Sequence, residues 1–256
     1  MRKTPRPYFT PYRIATTLLP VAAIALLAFG TPALAQNVTI GFGEGAGVTE
    51  RAIQMIALIT VLSLAPSILV MVTSFTRIVV VLSLLRTAIG VQQSPPNAVV
   101  ISLALFLTAF VMAPVFQQSY DAGIKPLIED QIELDEAFER AAKPIRLFML
   151  SHVREKDLGL FVDLAGEDKP ENPEDISLRV LVPAFMISEL KRAFEIGFLL
   201  FVPFIVIDMV VASVLMSMGM MMLPPIIISL PFKLIFFVLV DGWHLVAGSL
   251  VQSYAN

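Results

Sequence analysis

The sequence predicts an all-α membrane protein made of two apolar helical hairpins separated by a small helical insert. Three observations carry that expectation. The 256 residues are 57% hydrophobic and 15% charged, whereas a soluble domain is roughly 45–50% apolar and about 25% charged. Uncharged runs long enough to cross a bilayer recur along the chain, since a span needs about 20 residues. Two Gly-then-Pro-Pro turns each sit between a pair of such runs.

Charge is distributed in blocks. Residues 121–179 hold 15 of the 21 acids and 8 of the 18 bases, a local excess of seven acids. The first 35 residues hold Arg2, Lys3, Arg6 and Arg13 and no acid. No basic stripe is present, so nucleic acid is not an expected partner. With no cysteine, disulfides, thiol catalysis and thiolate metal sites are excluded.

The N-terminal stretch reads as a signal peptide, 1–35. A basic start is followed by the apolar run 14–29 and by Ala33-Leu34-Ala35, whose small residues favour cleavage between Ala35 and Gln36. Loss of the four leader bases takes the net charge from −3 to −7. Residues 36–51 form a linker. Gly41, Gly43 and Ala46 match the loose dinucleotide fingerprint, but no βαβ unit follows. A flexible Gly-rich segment capped by Thr49 is the expected structure.

Residues 52–120 are expected to form the first hairpin. Ala52 to Thr76 is uncharged, Arg77 and Arg86 follow, and Ala98 to Tyr120 is uncharged again. One helix running from Ala52 to Ile89 would be about 57 Å long, well over the roughly 30 Å hydrocarbon core. Pro66 is the expected break. Gly90 stands five residues before Pro95 and Pro96, and Gly219 five before Pro224 and Pro225. Glycine permits a left-handed helix exit and proline forbids continuation, so both are turns. Arg77 and Arg86 flank the first turn, which the positive-inside tendency points to the cytoplasm.

Residues 180–256 form the second hairpin, with three isolated charges in apolar surroundings: Asp208, Lys233 and Asp241. A charge at the bilayer centre costs at least about 2.5 kcal/mol on insertion scales, so each needs a partner, a proton or water. Lys233 and Asp241 are about 12 Å apart along a helix and off one line, which calls for partners on another helix or another copy. The two readings are an ion path and an ion pair that fixes helix register. In "ISELKRAFEIG", Lys191 and Glu195 are spaced i,i+4 and Glu189 and Arg192 i,i+3, so this turn is expected to satisfy itself on a wet face. Pro203 withdraws a backbone donor, so a kink is expected just before Asp208.

The acidic block 121–179 reads as a small helical domain outside the membrane, ending in the loop "GEDKPENPED". A helix carrying His152 is expected to start at Pro144. His152 and His244 lack metal-ligand spacing, and no phosphate loop, Ser/His/Asp set or carboxylate pair is recognisable. Neither an enzyme nor a cofactor is expected.

The stretches "PAFMISELKRAFEIGF", "FVPFIVIDMVVASVLMSMGMMMLPP" and "SLPFKLIFFVLVDGWHLVAGSLVQS" closely resemble C-terminal segments of the FliP family. These are inner-membrane export-gate proteins of bacterial flagellar type III secretion, with relatives in injectisomes. "PSILVMVTSFTRIVVVLSLLRTAIG" and "SPPNAVVISLALFLTAFVM" extend the likeness more loosely. The resemblance implies a pentameric homo-oligomeric ring in the flagellar basal body, with FliQ-, FliR-, FlhB- and FlhA-type components and membrane lipid around it. Unfolded flagellar proteins pass through its middle, and the acidic domain lies on the periplasmic side. It further implies tilted helical hairpins and a pore gasket of Met216, Met218, Met220, Met221 and Met222. Thioether chains have soft torsions that conform to irregular shapes, and a hydrophobic constriction excludes water and ions. As one helix, these methionines would fall on two faces, which a single buried face does not explain. The alternatives are an injectisome gate, an ion-coupled carrier using Asp208, Lys233 and Asp241, and a scaffold without a pore.

Overall fold

A computed structural model describes residues 48–91, 93–166, 172, 175–220 and 222–255. The stretch expected to be a signal peptide, with its expected Ala35–Gln36 cleavage point, the expected linker up to residue 47, most of the Pro/Glu-rich loop and Met221 lie outside them. The chain divides into two units, Met1–Ile56 and Ala57–Asn256. Of the first, the described residues are the opening turns of a helix.

The described residues form helices and no strand: α1 Val48–Val72, α2 Phe75–Ile89 and α3 Asn97–Ser119, then a π-helical turn Tyr120–Ile124 and the short α4 Lys125–Ile128. There follow α5 Leu134–His152, α6 Glu155–Ala165, α7 Leu178–Ser217, α8 Pro225–Leu239 and α9 Gly242–Gln252. Three segments, Ala52–Val72, Asn97–Ile128 and Leu178–Ser217, are long and apolar enough to cross a membrane. A fourth would be α8 with α9, bent by 62° at their junction.

The break expected at Pro66 lies at Thr73–Ser74, and Pro66 is interior to α1. Hydroxyls compete for the backbone at the break: Thr76 Oγ1 donates to Val70 O at 3.2 Å, and Phe75 N donates to Thr73 Oγ1 at 3.4 Å. Such local side-chain bonds offer the chain an alternative to helix. The overlong unbroken helix is instead α7, with 40 residues, about 60 Å at 1.5 Å per residue. Pro203 and Pro183 are both inside it. Pro144 likewise does not begin a helix, because α5 starts at Leu134 and runs through it.

Helix α2 is the centre of packing. Ile78, Val81, Leu82, Leu85, Ala88 and Ile89 are buried against α3, α7 and α8. The closest approach is to α7 at Gly197, where a Cβ would stand 2.3 Å from Leu84 Cδ1. A second cluster joins Met112 of α3 to Phe148 and Met149 of α5, Val162 of α6, and Val180, Leu181 and Phe185 of α7. The insert is thus seated on the ends of α3 and α7. Gly123 in the π turn permits this, since a Cβ there would be 2.4 Å from Ala137 O. By contrast α1 is apolar on every side, and from Ala57 to Leu69 every side chain except Ala65 is exposed. A helix apolar all round requires lipid or protein cover.

Candidate functional site

Along α7 the structure gathers three features: a buried ion-pair cluster, a second ion pair opening on a cleft, and an exposed methionine tip.

The first cluster joins α2 and α7. Glu189 and Arg77 are 0% and 1% exposed. Arg77 Nε donates to Glu189 Oε2 at 2.9 Å, and Nη2 donates to Oε1, closing a bidentate pair. This corrects two expectations. Glu189 does not pair with Arg192 on a wet face, and Arg77 does not sit at a loop where it would act as a topological charge. Lys191 and Glu195 do pair on the exposed side, at 3.5 Å. The turn after α9 completes the buried cluster. Arg77 Nη1 donates to Ser253 Oγ at 3.1 Å, and its guanidinium carbon lies 3.9 Å from the Tyr254 ring centroid. The Tyr254 hydroxyl donates to Glu189 Oε2. Burial, and next the Glu189 carboxylate, push its pKa far up, so it stays a phenol. The His152 ring of α5 lies tilted beside it, ring centroids 5.1 Å apart. Burial lowers the His152 pKa, only partly offset by the Phe148 carbonyl at 2.8 Å from Nδ1 and by Glu189.

One residue earlier on α7, Ser188 clamps the insert. Its hydroxyl donates to Asp157 Oδ2 at 2.6 Å and accepts from Arg154 N at 3.0 Å, while Arg154 Nε donates to the same carboxylate oxygen at 2.7 Å. Burial works to raise the Asp157 pKa, but the Ser188 and Arg154 hydrogen bonds and the Arg154 charge outweigh it, and the result is lowered.

The second pair ties α7 to α8. Lys233, 4% exposed, donates to Asp208 Oδ2 at 2.6 Å, and Ser229 Oγ donates to Oδ1 at 2.5 Å. The expectation of a partner on another helix holds for Lys233. Asp241, with positive φ of 50° at the start of α9, is exposed and makes no side-chain cap bond. Arg86 donates to Asn97 Oδ1 at 2.5 Å and to Pro95 O at 3.4 Å, closing the turn that contains Pro95 and Pro96. Gly90 leaves α2 at φ 90°, as its left-handed exit requires. The Arg77–Glu189 and Lys233–Asp208 bonds neutralise those four charges within the chain, an arrangement suited to fixing helix register.

At the far end of α7, Gly219 (φ 72°) closes the helix. Met220 N donates to Leu215 O at 3.0 Å and Gly219 N to Met216 O at 3.1 Å, the double bond pattern of a Schellman cap. Pro224 and Pro225 then begin α8. Met216, Met218, Met220 and Met222 are 57%, 61%, 43% and 98% exposed. Only Met216 is on the helix, so the two-face helical reasoning does not apply to this tip. An apolar hollow of about 490 Å³ lies beside it between α7 and α8, lined by Val210, Val214, Met218 and Phe232 among others.

Tyr254, Ser188 and Asp157 carry no motif in the sequence. Their only local sign is a polar or aromatic residue beside an apolar run. Among the described residues no three His, Asp or Glu side chains gather as metal ligands.

A model of the FliP family matches residues 58–250, a span holding both ion pairs and the methionine tip but not Tyr254. The flagellar biosynthetic protein FliP of Caulobacter vibrioides is 68% identical over 243 residues, 94% of this chain and 91% of that relative. The FliP of Bacillus subtilis is 58% identical over 205 residues, 80% and 93% of the two chains. That of Aquifex aeolicus is 51% identical over 212 residues, 82% and 89%.

Proposed function

The chain belongs to the FliP family, and on that premise we propose that it is a pore-forming subunit of the flagellar protein export gate in the inner membrane. Flagellar proteins cross it unfolded. Copies of the chain form a ring with FliQ- and FliR-type subunits, and FlhA- and FlhB-type components join it in the basal body. Both helical hairpins face their neighbours, and the acidic insert lies on the periplasmic side.

The observation that carries this reading is the tip at residues 216–222. Its described methionines are all exposed, on a loop whose backbone is fixed by a Schellman cap and two prolines. A soluble surface would not hold a fixed, water-facing cluster of thioethers, because large exposed apolar patches mark contact sites. Repeated around a ring, such tips make a constriction too apolar for water and ions, with side chains supple enough to yield to a passing polypeptide. The ion pairs at Glu189 and Asp208 hold α7 in register with α2 and α8 behind that constriction.

The test replaces Met218, Met220 and Met222 together by Ala in the native host. Ion leakage through a fully assembled complex is the expected result. Unchanged sealing with the complex intact would leave a scaffold role and sink the gasket. Native mass spectrometry of the complex in mild detergent reads the assembly directly, and a bare monomer across detergents would contradict the ring.

A further inference from the structure

We propose that the cleft beside the Gly90 turn is a binding site for one anionic phospholipid, with Arg86 holding the headgroup phosphate. This goes beyond the gate and needs only that the chain sits in a membrane. The cleft has a volume of about 570 Å³ between the end of α2 and helices α7 and α8. That is within the roughly 300–1,000 Å³ of small-ligand sites, enough for a headgroup and the start of an acyl chain.

Three charged side chains line it: Arg86, Lys233 and Asp208. Lys233 and Asp208 neutralise each other at 2.6 Å. Arg86 pairs with no carboxylate among the described residues, and its two hydrogen-bond acceptors, Asn97 Oδ1 and Pro95 O, are both neutral. The site is therefore one negative charge short, which a single phosphodiester supplies. Arg86 lies in the last turn of α2, just before the polar turn that leads to α3. Basic pockets between membrane helices recognise anionic headgroups. Apart from Thr87 the rest of the lining is apolar, with Phe201, Ile205 and Ile226 offering walls for a hydrocarbon chain. Gly90 keeps the floor low. A Cβ there would come within 3.3 Å of Leu230 Cδ1 and 3.9 Å of Lys233 Nζ.

The ligand is a lipid and not free phosphate, because the exposed Ile205 and Ile226 would otherwise line a wet hollow. A polar headgroup alone leaves those walls uncovered. The guanidinium fork suits a phosphate through paired N–H donors.

The experiment incubates the full chain, in mild detergent, with phosphatidylglycerol or phosphatidylcholine and counts retained lipids by native mass spectrometry. One phosphatidylglycerol per chain, retained at least tenfold better than phosphatidylcholine and not displaced by inorganic phosphate, is expected. Arg86→Gln should reduce retention tenfold, and so should Ile226→Trp, which fills the cleft with its charges intact. Because Arg86 also closes a turn, Asn97→Ala is the control. It removes the turn bond and keeps the cation, so retention should persist. Equal retention of both lipids, full retention in Arg86→Gln, or loss in Asn97→Ala would each overturn the site. So would retention by the lone chain that vanishes in the assembled complex, because protein would then cover the cleft.

Discussion

The two halves of α7 solve opposite problems with one continuous helix. From Val180 to Gly197 its buried residues pack on α2, α5 and α6. Beyond Gly197 only Phe204 and Leu215 are buried. The first half is satisfied inside the chain. The second half is as apolar but turns Val202, Val206, Met209, Val210 and Val214 outward, and ends in the methionine tip. Each half carries one ion pair to another helix. The Glu189 pair is dry and ringed by Tyr254, Ser253 and His152. The Asp208 carboxylate is 31% exposed and opens on a cleft. The difference teaches where the molecule is finished and where it awaits cover. The half-helix with a complete core sets the geometry, and the half without one offers surface to lipid and to other chains.

The sharpest way to break this contrast is at Glu189. Glu189→Gln strands Arg77 among apolar side chains, and breaking a buried pair costs about 3–5 kcal/mol. We expect a thermal melt in detergent to collapse, whereas the double change Arg77→Met with Glu189→Leu restores most of the loss. Asp208→Asn strands Lys233 in a partly wet place. The expected cost is smaller, about 2 kcal/mol, with α2–α7 packing intact by cysteine cross-linking between α2 and α7. Equal losses at the two sites would erase the distinction between a dry pair and a wet one. Gly219→Ala forces a left-handed residue at the tip and costs about 1 kcal/mol. Its effect should appear as faster hydrogen exchange at residues 215–220 and leave the insert unaltered.

Much of this was legible in the sequence. The uncharged runs became helices, and Gly90 and Gly219 adopt the left-handed exits that their Pro-Pro followers called for. The surface pair Lys191–Glu195 follows from i,i+4 spacing alone. What escaped was long-range. Glu189 had a plausible partner three residues away, yet it pairs 112 residues back. Spacing ranks local partners well but is blind to tertiary ones. Pro66 looked like a break and Pro203 like a kink because proline removes a donor. Apolar membrane helices tolerate that loss when neighbours re-satisfy the backbone, and the true break fell at Thr73–Ser74, where hydroxyls compete. Of the candidate site, Asp208, Lys233 and the methionines stood out as charges or sulfur in apolar text. Tyr254 did not, since an aromatic near a chain end carries no sign of what it will stack on.

The smallest effect separates the finished half from its surroundings by pH. Asp157, clamped to Ser188 at the start of that half, has a folded pKa below its ordinary value. Its contribution is fully present above the unfolded carboxylate pKa, near about 3.9, and is lost as pH falls through the lower folded value. His152 behaves in the same direction but in another window. Its folded pKa is also depressed, so the unfolded state takes up the proton first and stability declines as pH falls below about 6.5. Two steps are therefore expected in the melting temperature of the detergent-purified protein, a shallow one below pH 6.5 and another below pH 4. His152→Gln should flatten the first and leave the second, and Asp157→Asn the reverse. A single step removed by either change would mean that the α5 contact and the α6 clamp yield as one unit. The first half of α7 would then be a single cooperative block, with no separable seat for the insert.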